Sequence, residues 1–115
     1  MIKVEAVVVR EKVEEVMDAV TDRTGHVGVT VLEAVGHGRQ PGITHEYRGR
    51  VFESRFLPKA LLVFVVEDER AEAVVETIVE TARTGHESGD GIVWSAPVWG
   101  VRHNRTGLPL EAVGA

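Results

Sequence analysis

The chain has 115 residues, no cysteine and a formal net charge of −5. With 43% apolar and 27% charged residues, it has the composition of an ordinary globular protein, and its length fits one domain, residues 1–115, with a single core. The lack of cysteine excludes disulfides, thiolate metal sites and a cysteine nucleophile. The longest apolar run, 60–66, is too short to cross a bilayer, and the acidic start does not resemble a secretory signal, so we expect a cytoplasmic protein.

The charge is unevenly distributed along the chain. Between Gly36 and Lys59, five cations and two anions give a local net charge of +3 on an otherwise acidic protein. The overall negative charge argues against general nucleic-acid binding, which depends on neutralising many phosphates. A basic segment on an acidic body instead indicates a small anionic ligand or an acidic partner surface. The alternative is a solvated loop whose arginines are incidental.

The first half of the chain predicts a strand, a helix and a second strand. Residues rich in β-branched side chains predict strands over 2–9 and 29–35. Between them, apolar residues recur at spacings of three and four from Val13 to Val20, which predicts an amphipathic helix over about 11–22. The stretch 37–56 has no sustained period and several glycines, so we interpret it as a long functional loop.

The second half repeats this pattern. The continuous apolar run 60–66 predicts a central strand, and Asp68 is predicted to cap a helix that extends to about Ala82. A second glycine-bearing stretch follows, and then residues 92–102 predict a last strand. Pro97 predicts an edge position or a bulge for that strand, because proline cannot donate to a strand ladder.

This order predicts an α+β ferredoxin-like βαββαβ sandwich, with four antiparallel strands and both helices on one face of the sheet. Helices on one face leave the other face uncovered. Because strands 2–9 and 60–66 are apolar nearly throughout, we expect the second face to pack against other copies of the same chain.

Two glycine-bearing segments, Gly36–Gly42 and Thr84–Gly91, lie between the predicted elements. Successive backbone amides in such loops can form anion-binding nests, and Arg39 can add a bidentate contact to a phosphate or carboxylate. Gly36-x-Gly38 is not a dinucleotide fingerprint, because no helix follows it to hold a pyrophosphate. Loops in which glycine merely turns the chain are the alternative.

No other pattern points to a metal site or to catalysis. The five histidines fall in predicted loops or near strand ends, without the helical spacing of a zinc site, so we expect them at the surface. No spacing favours a Ser-His-Asp triad, and we expect no enzymatic activity. Trp94 and Trp99 are predicted to be core or subunit-interface residues.

Taken together, the motifs resemble the PII signal-transduction family over almost the whole chain, with one extra residue near Glu87. The matching elements are Val29-Thr30-Val31, Gly36-x-Gly38-Arg39-Gln40-x-Gly42, Tyr47-Arg48-Gly49, Phe56-Leu57-Pro58-Lys59, Thr84-Gly85, Gly89-Asp90-Gly91 and Arg105-Thr106-Gly107. The resemblance implies a homotrimer with nucleotide sites between subunits and a C-terminal tail over about 104–115. It also implies a T-loop, about 37–56, that docks on an enzyme, transporter or regulator. The chain would then be associated with a membrane only indirectly, through a transporter partner.

The resemblance also implies which residues bind ligands. Adenine nucleotide (ATP, ADP or AMP) would be held by Thr30, Gly36, His37, Gly38, Arg39, Gln40, Gly85, Gly89, Asp90, Gly91, His103 and Arg105. Gln40 and Lys59 would hold a small acid, 2-oxoglutarate in the family. No dedicated metal site is implied, and Mg²⁺ would be bound only through Gln40 together with the nucleotide.

Departures from the family pattern affect the expected ligand. Ile92 stands where a lysine usually follows Gly-Asp-Gly, and His103 replaces the first of two phosphate-binding arginines. A charge-assisted contact is typically worth about 1.5–3 kcal/mol, so losing two weakens a triphosphate more than a monophosphate. We therefore expect ADP or AMP to bind at least as well as ATP, and a poorly supported 2-oxoglutarate response.

The T-loop departs from the pattern as well, because Phe52 replaces the tyrosine that many members modify and Arg50 the serine modified in others. Regulation by ligands alone is therefore expected. Divergent PII-like proteins associated with carboxysomes or bicarbonate uptake depart at similar positions, so the resemblance implies control of either nitrogen or inorganic-carbon metabolism. Two other readings remain open: a trimer of the divalent-cation-tolerance kind with His37 and His86 at a metal, and a small ferredoxin-like oxygenase or isomerase.

Overall fold

The computed structural model describes residues 1–37, 43–47, 50–54, 56–86 and 89–110, and for 43–47 and 50–54 it describes the backbone alone. The strands are β1 Ile2–Val9, β2 Thr30–Gly36, β3 Ile43–Tyr47, β4 Arg50–Ser54, β5 Leu57–Val66 and β6 Ile92–Pro97. The α-helices are α1, Val13–Thr24, which follows a 3₁₀ turn at Arg10–Lys12, and α2, Asp68–Thr81. Within this described part, neither helix is long and apolar enough to cross a membrane.

Four strands form one antiparallel sheet in the order β2–β5–β1–β6. The register places Val4 opposite Phe64 and Ala6 opposite Leu62, so the buried side chains of the two central strands share one face. With β1-α1-β2 followed by β5-α2-β6, this is the ferredoxin-like α+β fold that the sequence predicts. β6 lies at an edge of the sheet, as Pro97 indicates.

Both helices contribute to one hydrophobic core on that face. Alternation along β1 and β5 and the three-to-four spacing of α1 and α2 bring these aliphatic and aromatic side chains together. The buried cluster consists of Val4, Ala6, Val8, Val16, Val20, Ala60, Leu62, Phe64, Val66, Val74, Ile78 and Ala82. Burying a large aliphatic side chain contributes about 1.5–3 kcal/mol, so this face supplies most of the stability of the chain.

The opposite face of the sheet is only partly covered within the chain. It carries the alternate residues of the same strands, among them Val7, Leu61 and Val63, which are half-buried. Leu32 on β2 and Trp94 on β6 lie on this face with 47% and 38% of their surfaces exposed. The prediction of an uncovered apolar face is therefore confirmed for the single chain.

The structure corrects the predicted loop 37–56 and the predicted last strand. Within 37–56, β3 and β4 form an antiparallel hairpin with Tyr47 opposite Arg50. The missing hydrophobic period of that stretch reflects a two-stranded ribbon, not the absence of strands. The strand predicted over 92–102 ends at Pro97, and beyond it Arg102 forms an isolated bridge with Pro109.

Two side chains also differ from expectation, and the prediction for the two tryptophans is narrowed. Asp68 is the first residue of α2 and not its cap, which is Glu67, and its carboxylate pairs with the terminal amine of Met1 at 2.9 Å. His26 is buried, with its Nε2 2.6 Å from the carbonyl oxygen of Gly28, so it has no surface role. Trp99 and Trp94 are 92% and 38% exposed, so of the two predicted places the core of the single chain is excluded and the subunit interface stays a prediction.

Candidate functional site

The two glycine-bearing segments meet at Lys59, near the start of β5. The Lys59 ammonium donates a hydrogen bond of 2.6 Å to the carbonyl oxygen of Gly89. On its other side the Lys59 stem covers Gly36, where a Cβ would lie only 2.8 Å from Lys59 Cγ. Thus the end of β2, the start of β5 and the loop after α2 converge. We call Gly36, Lys59, Thr84 and Gly89–Gly91 the glycine junction.

Lys59 is a buried cation, with 6% of its surface exposed. Burial lowers the pKa of its ammonium, because the charged form loses solvation, while the carboxylates of Asp90 and Glu11 act in the opposite direction. The ammonium therefore donates to one carbonyl and interacts electrostatically with two carboxylates. A ligand carboxylate or phosphate that reached it would meet a charge already stripped of much of its water.

A side-chain hydrogen bond joins the described residues on the two sides of 87–88, after α2. The Thr84 hydroxyl donates to Asp90 Oδ1 at 2.5 Å, and it accepts a hydrogen bond from the His86 amide at 3.2 Å. The hydrogen bond from Thr84 is the main reason that the pKa of Asp90 is lowered, and the charges of His86 and Lys59 add to it. Asp90 is accordingly held as a carboxylate at the entrance of the junction.

At position 91 both the close approach of β1 and the positive φ require glycine. At position 85 only the positive φ favours glycine. Gly91 has a φ of +93°, and a Cβ there would lie 1.8 Å from the carbonyl oxygen of Val7. The loop thus rests directly on the backbone of β1. Gly85 has a φ of +89° with open space around it.

The remaining predicted residues at this end of the sheet are only partly described. The His37 ring lies 5.7 Å from the ring of Phe56, so the residues that flank the 38–55 segment contact each other. Gly38, Arg39 and Gln40 lie outside the described residues, and their predicted roles stay predictions. Thr30 is at the opposite end of β2 from Gly36, six residues away, which is roughly 20 Å at about 3.3 Å per residue.

His103 and Arg105 lie in a C-terminal turn. The His103 amide donates to the Leu108 carbonyl at 2.9 Å, and the Gly107 amide donates to the His103 carbonyl at 2.8 Å. Arg105 is exposed and makes no ion pair or hydrogen bond with the described residues. No described contact joins this turn to the glycine junction within one chain, so the predicted site residues form separate groups.

Sequence reasoning missed Arg10 as a support of this site. Its guanidinium donates to the Ala34 carbonyl at 3.1 Å and to the Lys59 carbonyl at 3.4 Å, which ties the end of β2 to the start of β5. A single arginine after an apolar strand carries no signal of that role. Among the described residues, no three His, Asp or Glu side chains come close enough to bind a metal ion.

Comparison with known proteins identifies the family. A family model described as nitrogen regulatory protein P-II matches residues 1–108. Nitrogen regulatory protein P-II 2 of Methanothermobacter thermautotrophicus is 45% identical over 107 residues, 93% of this chain and 91% of that protein. The P-II proteins of Rhizobium meliloti and Pasteurella multocida are 44% and 41% identical, over 98% and 96% of this chain and 100% and 97% of their own.

The chain therefore belongs to the P-II family, as the resemblance implied. This family consists of regulatory signal-transduction proteins, which assigns the chain a regulatory role.

Proposed function

We propose that the chain senses adenine nucleotides in clefts between its copies and controls a partner protein through the 37–56 segment. The observation that carries the proposal is the hydrogen bond from Lys59 to Gly89, which unites two glycine-bearing segments from distant parts of the sequence. A buried ammonium beside glycine backbone suits an anionic ligand. The role is regulatory and not enzymatic, and the partner is a transporter, an enzyme or another regulator.

Nucleotide binding between copies accounts for the separation of the predicted site residues. Thr30 and Arg105 are not in contact with the glycine junction of their own chain, but a second chain packed on the open face can bring its own residues to the junction. Members of this family form trimers. The exposed Leu32 and Trp94 supply apolar area for such packing. Replacing Leu32 with Asp is expected to convert the trimer to monomer in light scattering, while Leu108→Asp leaves it intact.

Regulation would follow from the position of Lys59. The 37–56 segment begins directly after β2 and ends just before β5, and Lys59 connects this base to Gly89. A ligand that engages Lys59 must compete with the Gly89 carbonyl, and so favours one arrangement of the base over another. A small acid at Gln40 and Lys59, 2-oxoglutarate or bicarbonate, would act in this way, with Mg²⁺ bound together with the nucleotide.

Calorimetric titration with ATP, ADP and AMP tests the proposal. Each nucleotide is titrated alone, with Mg²⁺ plus 2-oxoglutarate, and with bicarbonate. We expect ADP or AMP to bind at least as tightly as ATP, because Ile92 and His103 supply no fixed charge. ATP binding far tighter than ADP would refute that preference, and no binding of any adenylate would refute the function.

A pair of arginine variants locates the nucleotide. Arg105→Gln removes an exposed guanidinium that has no partner in the described part of the chain and should weaken ADP about tenfold. Arg23→Gln is the matched control, because Arg23 pairs with Glu80 on the helical surface. Equal affinities of the two variants would place the phosphates elsewhere.

A further inference from the structure

A cavity of 240 Å³ lies between the last turn of α2, the start of β6 and the end of β1. Apart from Arg83, Asp90 and Gly91, its walls are valine, isoleucine and alanine side chains. Val79 and Ile92, which form part of these walls, are 39% and 69% exposed, so the cavity opens to solvent. An apolar pocket with a few converging polar groups is the usual form of a small-molecule site.

The two charged residues of the cavity have opposite signs and do not pair with each other. Arg83, just beyond α2, makes no ion pair or hydrogen bond with the described residues. Asp90 accepts the Thr84 hydroxyl at Oδ1 and makes no ion pair with Arg83. A neighbouring cation and anion that remain apart in a shared cavity leave room for a ligand carrying both charges.

The geometry points to a binding site for a small aliphatic amino acid such as leucine, isoleucine or valine. The α-carboxylate pairs with Arg83, the α-ammonium pairs with Asp90, and the side chain lies against the aliphatic walls around Val79 and Ile92. The cavity is large enough for several waters, and therefore for a branched aliphatic side chain. This site shares Asp90 and Gly91 with the proposed nucleotide site but takes a different class of ligand.

Charge decides between this class of ligand and simpler ones. An aliphatic carboxylate would satisfy Arg83 but would place its negative charge near Asp90, which the Thr84 hydroxyl keeps ionised by lowering its pKa. An aliphatic amine would satisfy Asp90 and leave Arg83 without a partner. Asp90 also interacts with the Lys59 ammonium, but among these three ligands the zwitterion alone brings an opposite charge to both Arg83 and Asp90.

Nuclear magnetic resonance titration of the full, isotopically labelled chain tests the site. L-Leucine is expected to shift the amide signals of Val79, Gly91 and Ile92 saturably, whereas 4-methylpentanoate and 3-methylbutylamine, which each lack one charge, bind at least about tenfold more weakly. Glycine, which lacks the side chain, is expected to give no saturable shift. The absence of saturable shifts with leucine, isoleucine and valine overturns the proposal, as does equal binding of 4-methylpentanoate and leucine.

Variants assign the binding to the cavity. Arg83→Gln should weaken leucine by about tenfold or more, and Val79→Trp should abolish binding by filling a wall that is already partly exposed. Arg23→Gln, which removes the same charge from a surface pair with Glu80, should leave leucine binding within about twofold. If Arg83→Gln lowers only the thermal stability and leaves leucine binding unchanged, Arg83 serves the carboxyl end of α2 and the site is refuted.

Discussion

The helix-covered face of the sheet and the glycine junction are built from different kinds of contact. On the helix-covered face, aliphatic side chains from β1, β5 and both helices exclude water, and Leu62 and Phe64 are at most 1% exposed. The glycine junction is held by one ammonium, one hydroxyl and the fit of Gly91 on β1. A hydrogen bond to a charged group contributes about 1.5–3 kcal/mol, as does one buried aliphatic side chain, but in the described part of the chain the face has twelve buried residues and the junction two such bonds. The helix-covered face therefore contributes most of the free energy of folding. The glycine junction can rearrange with a small loss of that free energy.

The largest expected effect comes from the helix-covered face. Leu62→Ala removes a fully buried side chain from the centre of β5 and should lower the free energy of unfolding by about 2–5 kcal/mol, through lost burial and the cavity left behind. Urea unfolding measures this difference. Leu108→Ala is the control, because Leu108 is 49% exposed, and should change the free energy by less than about 0.5 kcal/mol. Similar losses of unfolding free energy for the two variants would mean that the helix-covered face is not the main source of stability.

This face is also the part that the sequence predicts best. Two local patterns predict it: the alternation of buried residues along β1 and β5, and the helical spacing of α1 and α2. The fold class and the set of residues that face the core follow from these patterns. The β3–β4 hairpin and the end of β6 were missed. The sequence of 43–54 has no sustained period that would indicate two strands, and the valines after Pro97 resemble the continuation of a strand. His26 was missed because its burial against Phe64 depends on tertiary contacts.

Gly91→Ala tests whether the contact between the glycine junction and β1 also contributes to the stability of the chain. The new Cβ would meet the Val7 backbone at 1.8 Å, and the φ of +93° is unfavourable for alanine. Backbone strain of this kind costs about 1–3 kcal/mol and the clash adds to it, so we expect a loss of about 3 kcal/mol in urea unfolding. Gly85→Ala, with a similar φ and open space, should cost only about 1 kcal/mol. Equal losses of unfolding free energy for the two variants would show that the close contact of Gly91 with β1 does not restrict the residue at position 91.

Lys59→Met is expected to have a smaller effect that depends on pH. Because burial lowers the pKa of Lys59, the unfolded chain binds more protons than the folded chain between that lowered pKa and about 10.5. The wild-type free energy of unfolding therefore gains a contribution as pH rises through this window, and Lys59→Met lacks it. At pH 7 the two proteins should differ by less than about 1 kcal/mol, because removing a buried charge offsets the lost hydrogen bond to Gly89.

Urea unfolding of wild type and Lys59→Met at a series of pH values from neutral to alkaline measures this difference, since other groups titrate alike in both proteins. Lys12→Met is the control, because Lys12 forms an i, i+3 surface pair with Glu15. Parallel pH profiles of wild type and Lys59→Met would mean that burial does not perturb Lys59.

The glycine junction could be predicted from the sequence only as a set of loops. Glycine clusters beside strand ends indicate where backbone approaches closely, and both segments do meet. The contact itself joins Lys59 to a residue thirty positions later, and Arg10 reaches Ala34 across twenty-four. Pairings at such separations depend on strand register, which local patterns leave undefined. Arg83 carried no signal for the same reason, because its significance lies in sharing a cavity with Asp90.

The smallest expected effect belongs to a single hydroxyl. Thr84→Val keeps the shape of the side chain but removes the hydrogen bond that is the main cause of the lowered pKa of Asp90, so this pKa should rise towards its ordinary value. A carboxylate with a lowered folded pKa contributes stability that is complete above its unfolded pKa and is lost as pH falls through the folded one. The free energy of unfolding of wild type should therefore exceed that of Thr84→Val by less than about 1 kcal/mol near pH 7, and the difference should shrink on acidification.

Carboxyl-detected magnetic resonance measures the pKa of Asp90 directly in both proteins. In an Asp90→Asn background, Thr84→Val should have an effect that no longer varies with pH, and a persistent pH dependence there would assign the titration to another group.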